Sequence, residues 1–240
     1  MSLPVFIHPD LSLASVGEPV GLEGPEGRHA VTVKRLSVGE RLKLIDGTGT
    51  AALATIQSVS GKDHLAALVD AVTFAPEPNP RVVVVQAIPK SERSELAVDL
   101  ATQAGADEII AWQADRCVAK WDGKKAPKAL AKWEAAAVAA AKQSRRDRIP
   151  QITGPLTTPQ LAQLIAGQTA YVLHEEATDS IRDVPLEGTI YLLVGPEGGI
   201  GAEELERLQA HQVKLGPEVL RTASAAMVAL AAIGVRTARW

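Results

Sequence analysis

Three stretches of this sequence set glycine, carboxylate and cationic residues directly after apolar runs. They are Val172-Leu173-His174-Glu175-Glu176, then Leu192-Leu193-Val194-Gly195-Pro196-Glu197-Gly198-Gly199-Ile200-Gly201, and finally Lys214-Leu215-Gly216-Pro217-Glu218-Val219-Leu220-Arg221-Thr222. In an open parallel sheet, ligands bind beyond the carboxyl ends of the strands, so each stretch is a candidate wall of a site. The second carries the most chemistry. An apolar strand runs into a loop with glycine at four of seven positions, and a helix opens at Ala202-Glu203-Glu204. Glycine tolerates positive φ and lets a ligand lie against bare backbone. Free N–H and C=O groups could then read the edge of an adenine or the hydroxyls of a ribose. Such a turn also serves structure alone, and the same tetrapeptide at Gly24 follows no buried strand and reads as a plain turn.

Rival chemistries can be checked against their spacing. No G-x-x-x-x-G-K-[ST] occurs, which excludes a P-loop, and no G-x-G-x-x-G follows a strand, which argues against a dinucleotide site. Pro196 and Glu197 suit a pyrophosphate poorly, because a carboxylate repels it. A ligand without phosphates, such as S-adenosylmethionine, matches better. His8, His29, His64, His174 and His211 lack metal-ligand spacing, so no metal site is expected. There is no G-x-S-x-G elbow. His174 beside Glu175 and Glu176 could be an acid/base arrangement, or simply a polar lining. Cys117, the one cysteine, reads as a spectator thiol rather than a nucleophile, and its solitude fits a reducing cytoplasm.

The 240 residues carry a net charge of −3, unusual for a partner of nucleic acid. The distribution says more than the sum. Between Arg116 and Arg148 stand Lys120, Lys124, Lys125, Lys128, Lys132, Lys142, Arg145 and Arg146, against Asp122, Glu134 and Asp147. One basic zone in an acidic chain fits a surface that meets phosphate, and fits a solvated helix face equally. No apolar run reaches the ~20 residues a bilayer span needs. The first residues show no signal-peptide pattern, so a cytoplasmic protein without membrane contact is expected.

The elements that must position these residues fall into two parts. Over residues 1–75, short segments such as VGEPVGL, HAVTVKRL, ERLKLIDG, TAALATIQSV and HLAALVDAVTF alternate or are rich in β-branched residues, with Gly39, Asp46-Gly47, Gly49 and Gly61 as turns. They predict a small β-barrel. Prolines 76, 78 and 80 make 76–80 a stiff linker and the domain boundary. Beyond it, residues 81–240 alternate strand and helix. An apolar strand at 81–88 precedes a helix at 91–104 with Leu96 and Leu100 on one face, a strand at 108–112 and an Ala-rich helix at 129–142. A helix at 158–166, strands at 170–174 and 189–194, a helix at 203–210, a strand at 213–215 and a last helix from 222 complete an α/β domain with a largely parallel sheet.

With these loops in view the sequence resembles the ribosomal small-subunit methyltransferase E family, 16S rRNA uridine-N3 methyltransferases of the SPOUT class. The resemblance covers nearly the whole chain. It rests on His29-Ala-Val-Thr-Val-Lys34-Arg35, Val38-Gly39-Glu40 and Asp46-Gly47-Thr48-Gly49 in the first part. In the second it rests on Lys90-Ser-Glu-Arg93, Gln143-Ser-Arg-Arg146, Ile149-Pro150, Leu173-His-Glu175, Gly195-Pro-Glu-Gly-Gly199 and Leu215-Gly-Pro-Glu-Val-Leu-Arg-Thr222. The family commonly reads Arg-Thr-Glu-Thr-Ala where this chain has Arg221-Thr222-Ala223-Ser224-Ala225, and often an arginine near the start where residues 1–6 have none.

The resemblance implies an N-terminal PUA-like RNA-binding barrel, a C-terminal SPOUT domain with a deep trefoil knot, and a homodimer. It implies S-adenosylmethionine held by Leu173, His174, Glu175, Gly195, Pro196, Glu197, Gly198, Gly199, Leu215, Gly216, Leu220, Arg221 and Thr222. The substrate would be 16S rRNA in the small ribosomal subunit, gripped by Lys34, Arg35, Lys90, Arg93, Arg145 and Arg146, with Arg221 stabilising a uridinate. Two other readings use the same features. A ribosome-assembly factor without transfer activity would fit the altered Ala223-Ser224, and a SPOUT enzyme could act on tRNA or another base.

Overall fold

The structure, a computed structural model, describes residues 3–11, 14–90 and 93–240. The chain forms two compact units, Met1–Glu77 with Ala141–Ile149, and Pro78–Ala140 with Pro150–Trp240.

In the first unit a five-stranded sheet runs in the order β1 (Val5–Ile7), β3 (Arg41–Ile45), β4 (Thr50–Ser60), β5 (His64–Phe74), β2 (Pro19–Leu22). β1 pairs parallel to β3, and the remaining pairings are antiparallel. Two register shifts between β4 and β5, at Leu53/Ala54 and Ile56/Ser58, increase the local twist. Side chains from all five strands, among them Phe6, Leu22, Leu42, Ile56 and Leu65, meet in one core, as expected when a barrel-like sheet wraps its apolar face inward.

One element here differs from its sequence pattern. The HAVTVKRL segment is helical: α1 (Gly24–Arg28) continues into a wider turn over His29–Val33. Pro25 lies in the first turn, where its missing N–H costs nothing, and Glu26 complements the helix N-terminus. Burial of Ala30 and the edge contact of His29 with Phe6 then override the strand preference of Val31, Thr32 and Val33. Gly24-Pro25-Glu26-Gly27 is thus the opening of a helix rather than a plain turn.

The 141–149 segment explains the Asp46-Gly47-Thr48-Gly49 motif. A Cβ on Gly47 would come within 2.9 Å of Ile149, and one on Gly49 within 2.7 Å of the Arg148 guanidinium. Ile149 N–H donates to the Gly47 carbonyl at 2.9 Å, Lys43 pairs with Asp147, and Arg148 bonds the Ala75 carbonyl and Glu77. Asp46 accepts hydrogen bonds from the amides of Thr48, Gly49 and Thr50. Burial pushes the Asp46 carboxyl upward, but the Thr48 and Thr50 hydroxyls, with the amides of the same two residues, outweigh it and hold it below the usual value.

In the second unit a six-stranded sheet, all of it parallel, runs in the order β11 (His211–Val213), β9 (Thr169–Leu173), β10 (Thr189–Val194), β6 (Arg81–Ala87), β7 (Glu108–Gln113), β8 (Gln151–Thr157). β6 and β10 lie at its centre, and Val82, Val83, Val84, Leu192 and Leu193 are fully buried. This is the reason both read as unbroken apolar runs. β8 falls in a stretch to which the sequence pattern assigns no element, and Pro155 lies within it. It survives as an edge strand, where proline is tolerated. Gly154 has φ +102°, and a Cβ there would come within 2.6 Å of the Ala111 carbonyl.

The helices are α2 (Ser94–Gln103), α3 (Lys125–Ser144), α4 (Thr158–Ile165), α5 (Ala202–Leu208) and α6 (Thr222–Arg236). Ser91 and Glu92, expected to open α2, lie outside the described residues. The face of α2 also differs from expectation. Leu96 is 46% exposed, while Ala97, Val98 and Ala101 are buried, and α2 packs against α6. Small residues permit that close approach, and α6 is itself Ala-rich. After β11 the chain bonds the 174–188 connection: Lys214 N–H donates to the Asp179 carbonyl, and Ile181 N–H to the Lys214 carbonyl. At the far end of α6, Arg236 donates to the carbonyls of Ile181 and Val184. Residues 214–236 are therefore fastened at both ends to one connection, while α6 packs on α2, β6 and β10.

Candidate functional site

The carboxyl ends of β9 and β10 and the loop after β11 enclose a cavity of about 300 Å³. Hydrogen-bonded register brings them together, for Leu173 pairs with both Val194 and Val213. His174 N–H then donates to the Val213 carbonyl at 3.0 Å, so the first loop leaves the sheet against the third.

Of the thirteen residues expected to hold the cofactor, twelve line this cavity: Leu173, His174, Glu175, Gly195, Pro196, Glu197, Gly199, Leu215, Gly216, Leu220, Arg221 and Thr222. Gly198 faces the other way. A Cβ there would lie 3.2 Å from the Arg116 side chain, whose guanidinium donates to the Gly198 carbonyl at 3.1 Å. Val194, Ile200, Val213, Lys214, Pro217, Glu218, Val219 and Ala225 complete the wall. Most of these stand inside the three stretches and follow from strand-end placement. Arg93, expected among the RNA-gripping cations, also lines the cavity, a position that charge and spacing could not have revealed.

The cavity combines three chemistries. Leu173, Val194, Ile200 and Leu215 offer an apolar bed. Glu175, Glu197 and Glu218 supply negative charge, and Arg93, Lys214 and Arg221 supply positive charge. The Gly-rich loop is held in shape by several bonds. Gly199 has φ +69°, and its N–H closes a turn onto the Pro196 carbonyl at 2.9 Å. Glu197 accepts from the Lys90 N–H at 3.2 Å, tying the loop to the segment that carries Arg93. Ser94, at the start of α2, accepts from buried Trp133 Nε1–H at 2.8 Å, which fixes that segment from behind. Arg221 precedes α6, and its carbonyl accepts the Ser224 and Ala225 amides.

The remaining expected residues fall in two places. Lys90, like Arg93, belongs to the second unit. Lys34, Arg35, Arg145 and Arg146 all belong to the first, because 141–149 folds with it. Arg35 and Arg145 both have left-handed backbone, φ 56° and 61°, and both are exposed. One turn before Arg145, Lys142 bonds Glu26 at 2.7 Å and approaches His29 at 3.5 Å, next to the turn that ends at Lys34.

Cys117 is buried, and desolvation pushes its thiol up to about 11, consistent with a spectator. Among the described residues no group of three or more His, Cys, Asp or Glu side chains is placed to hold a metal ion, and no helix is long and apolar enough to cross a membrane.

Comparison with known proteins bears on both units. Residues 22–70 match the RNA methyltransferase PUA domain, and residues 76–234 match the RNA methyltransferase domain. The chain is 49% identical over 239 residues to the ribosomal RNA small subunit methyltransferase E of Mycobacterium bovis, covering 95% of this chain and 91% of that protein. Among solved structures, the ribosomal RNA small subunit methyltransferase E of Neisseria gonorrhoeae, bound to S-adenosyl methionine, superposes with a TM-score of 0.87 at 25% identity, covering 98% of each chain. A Legionella pneumophila protein in complex with bound SAM superposes equally well, TM-score 0.87 at 27% identity over 98% of each chain. With a small β unit, a parallel-sheet α/β unit and a cavity built from three strand-end loops, this chain belongs to the ribosomal RNA small subunit methyltransferase E family.

Proposed function

We propose that the protein methylates N3 of a uridine in 16S rRNA, using S-adenosylmethionine. The observation that carries this reading is the cavity at the ends of β9 and β10, whose lining suits that cofactor's parts. An apolar bed suits an adenine, three carboxylates suit a sulfonium and an ammonium, and three cations suit a carboxylate. Twelve expected residues would hold it, from Leu173 to Thr222, with Gly198 supporting the loop from outside. When bound, the cofactor supplies an electrophilic methyl group.

The chain's own residues do the rest. Uridine N3 lies on the pairing edge, so the base must be unpaired or flipped out to be reached. N3 must lose its proton before its lone pair can attack. Arg221, exposed on the cavity wall, stabilises the resulting uridinate by its positive charge. Holding the methyl group and the nitrogen in line supplies a further part of the acceleration.

In this reading residues 1–75 form the RNA-gripping domain, 76–80 the linker and 81–240 the transfer domain. The 141–149 segment of the first unit adds Arg145 and Arg146 to Lys34 and Arg35, while Lys90 and Arg93 guide the target nucleotide at the cavity. The partner is 16S rRNA of the small subunit, in the cytoplasm. The same reading takes the protein as a homodimer, and Leu96 on α2 and Met227 and Val228 on α6 are exposed apolar side chains available to it.

The decisive experiment is nucleoside mass spectrometry of rRNA with and without the gene, followed by transfer of labelled methyl to purified small subunits. Loss of 3-methyluridine in the deletion, restored by the purified protein, is expected. A different missing nucleoside, or one missing from tRNA, would redirect the reading to another base. Cofactor binding without any missing nucleoside would favour an assembly factor.

A further inference from the structure

The Gly-rich loop has two faces, and the one turned from the cavity is covered by a single side chain. Cβ atoms built on Gly198 and Gly201 would lie 3.2 Å and 3.3 Å from Arg116, and one on Gly199 at 4.0 Å. The arginine's stem lies against Gly198, its guanidinium against Gly201, and Nη1 donates to the Gly198 carbonyl at 3.1 Å. The residue before it is fixed independently. Asp115 N–H donates at 3.0 Å to Glu204, a fully buried carboxylate on α5 that also accepts from Thr158 at 2.5 Å. The turn after β7 is thereby clamped to both ends of the stretch 198–204. Two of the loop's four glycines thus make room for an arginine rather than for a ligand.

We infer that Arg116 is a positioning residue, which holds the 196–201 loop in its cofactor-binding shape before the cofactor arrives. The reason is entropic. A loop this rich in glycine loses more conformational freedom on ordering than any other composition. An exposed arginine with a charge-assisted bond to the loop carbonyl meets that loss during folding, so binding does not have to. Arg116 touches neither the cavity nor the reacting atoms, which are on the loop's opposite face.

This inference rests on the cofactor reading above, so its test separates the two. Full-length Arg116→Ala, Arg116→Met and Arg116→Lys are titrated with S-adenosylhomocysteine by calorimetry without RNA. Amide hydrogen exchange across 196–201 is followed in the ligand-free proteins. Arg116→Ala and Arg116→Met should weaken binding about tenfold and speed exchange at Gly199 about tenfold, a loss of one charge-assisted bond. Arg116→Lys, which keeps a donor, should recover most of both. In turnover, the KM for S-adenosylmethionine should rise with kcat little changed. Wild-type affinity and wild-type exchange in Arg116→Ala would overturn the inference. So would a defect confined to RNA affinity, which would make Arg116 a phosphate contact. If the wild-type protein binds no S-adenosylhomocysteine, the cofactor reading fails while the exchange data still decide the clasp.

Discussion

The sequence contains one tetrapeptide twice, and the two copies do different work. Gly24-Pro25-Glu26-Gly27 opens a helix, whereas Gly195-Pro196-Glu197-Gly198 turns the chain from a buried strand into the cavity wall. In both, the glutamate accepts a backbone N–H from a distant segment, Ile7 at 3.0 Å in the first and Lys90 at 3.2 Å in the second. The glycines differ most. A Cβ on Gly27 would come within 1.9 Å of the Asp63 carbonyl oxygen and 2.7 Å of the Leu22 carbonyl oxygen, both backbone. A Cβ on Gly198 or Gly195 would meet mainly side chains, Arg116 and Ile200. One copy is braced against backbone that has nowhere to go, the other against groups that can shift. The string is the same, and its meaning is set by whichever segment packs over it.

The comparison is broken most directly at Gly27. Gly27→Ala should destabilise the first unit by more than about 3 kcal/mol, since overlap with backbone cannot be relieved by a rotamer change. Thermal unfolding followed by circular dichroism should show that unit melting at least about 10 °C earlier. A melt indistinguishable from wild type would mean the helix can slide off the β4–β5 hairpin.

Next comes the ion pair that, among the described residues, the first copy has and the second lacks. Glu26 bonds Lys142 through both oxygens, at 2.7 and 2.8 Å, with the two side chains 27% and 14% exposed. Lys142→Met leaves that carboxylate with little beside the Ile7 amide. A fully buried broken pair costs about 3–5 kcal/mol; partial solvation reduces the expected loss here to about 2 kcal/mol. Urea unfolding should show it as a lower midpoint at unchanged slope. Glu26→Gln with Lys142→Met should lose less than the two single changes added together.

How much of this was legible in the sequence depends on what each feature needed. The central strands β6 and β10 could be read from their apolar runs, because burial on both faces leaves no room for alternation. The three loops stood out for the same reason: polar and glycine residues directly after such strands need an explanation. What could not be read was the packing over them. Gly198 looked like a cofactor contact, yet its space is taken by Arg116, 82 residues earlier in the chain. Arg93, expected to grip RNA, lines the cavity. The stretch around Gly154-Pro155 carried no assigned element and forms an edge strand, in which the glycine admits the Ala111 carbonyl of its neighbour. Each of these depends on a long-range neighbour that no local pattern encodes.

At the second copy the expected effects are on ligand affinity rather than on stability. Gly195→Ala would press on Ile200, whose Cγ1 would lie 2.8 Å away and which lines the cavity. Affinity for S-adenosylhomocysteine should fall about tenfold, or about 1.4 kcal/mol. Gly198→Ala would press only on Arg116, at 3.2 Å, and should cost about threefold. Calorimetry gives both values. The reverse order would mean that Gly198, not Gly195, carries the cofactor-facing backbone.

The smallest effect concerns His29, which follows the first copy and has no counterpart after the second. Burial lowers its pKa below 6.5, Lys142 and Lys34 lower it further, and Glu26 opposes them. The folded protein therefore takes this proton less readily than the unfolded chain. His29's contribution is complete above the unfolded pKa of 6.5, diminishes as pH falls through it, and levels off below the folded value. The midpoint of unfolding should fall on acidification from pH 7.5 to 5.5 more steeply in wild type than in His29→Gln. Asp46 does not confuse this window, since a carboxyl held below its usual value loses its contribution only at lower pH. In Lys142→Met the imidazole should titrate closer to 6.5 by NMR, still below it because desolvation is the leading cause. A His29 pKa above 6.5 in that variant would show that Lys142, not burial, is what keeps the ring neutral beside the helix opening.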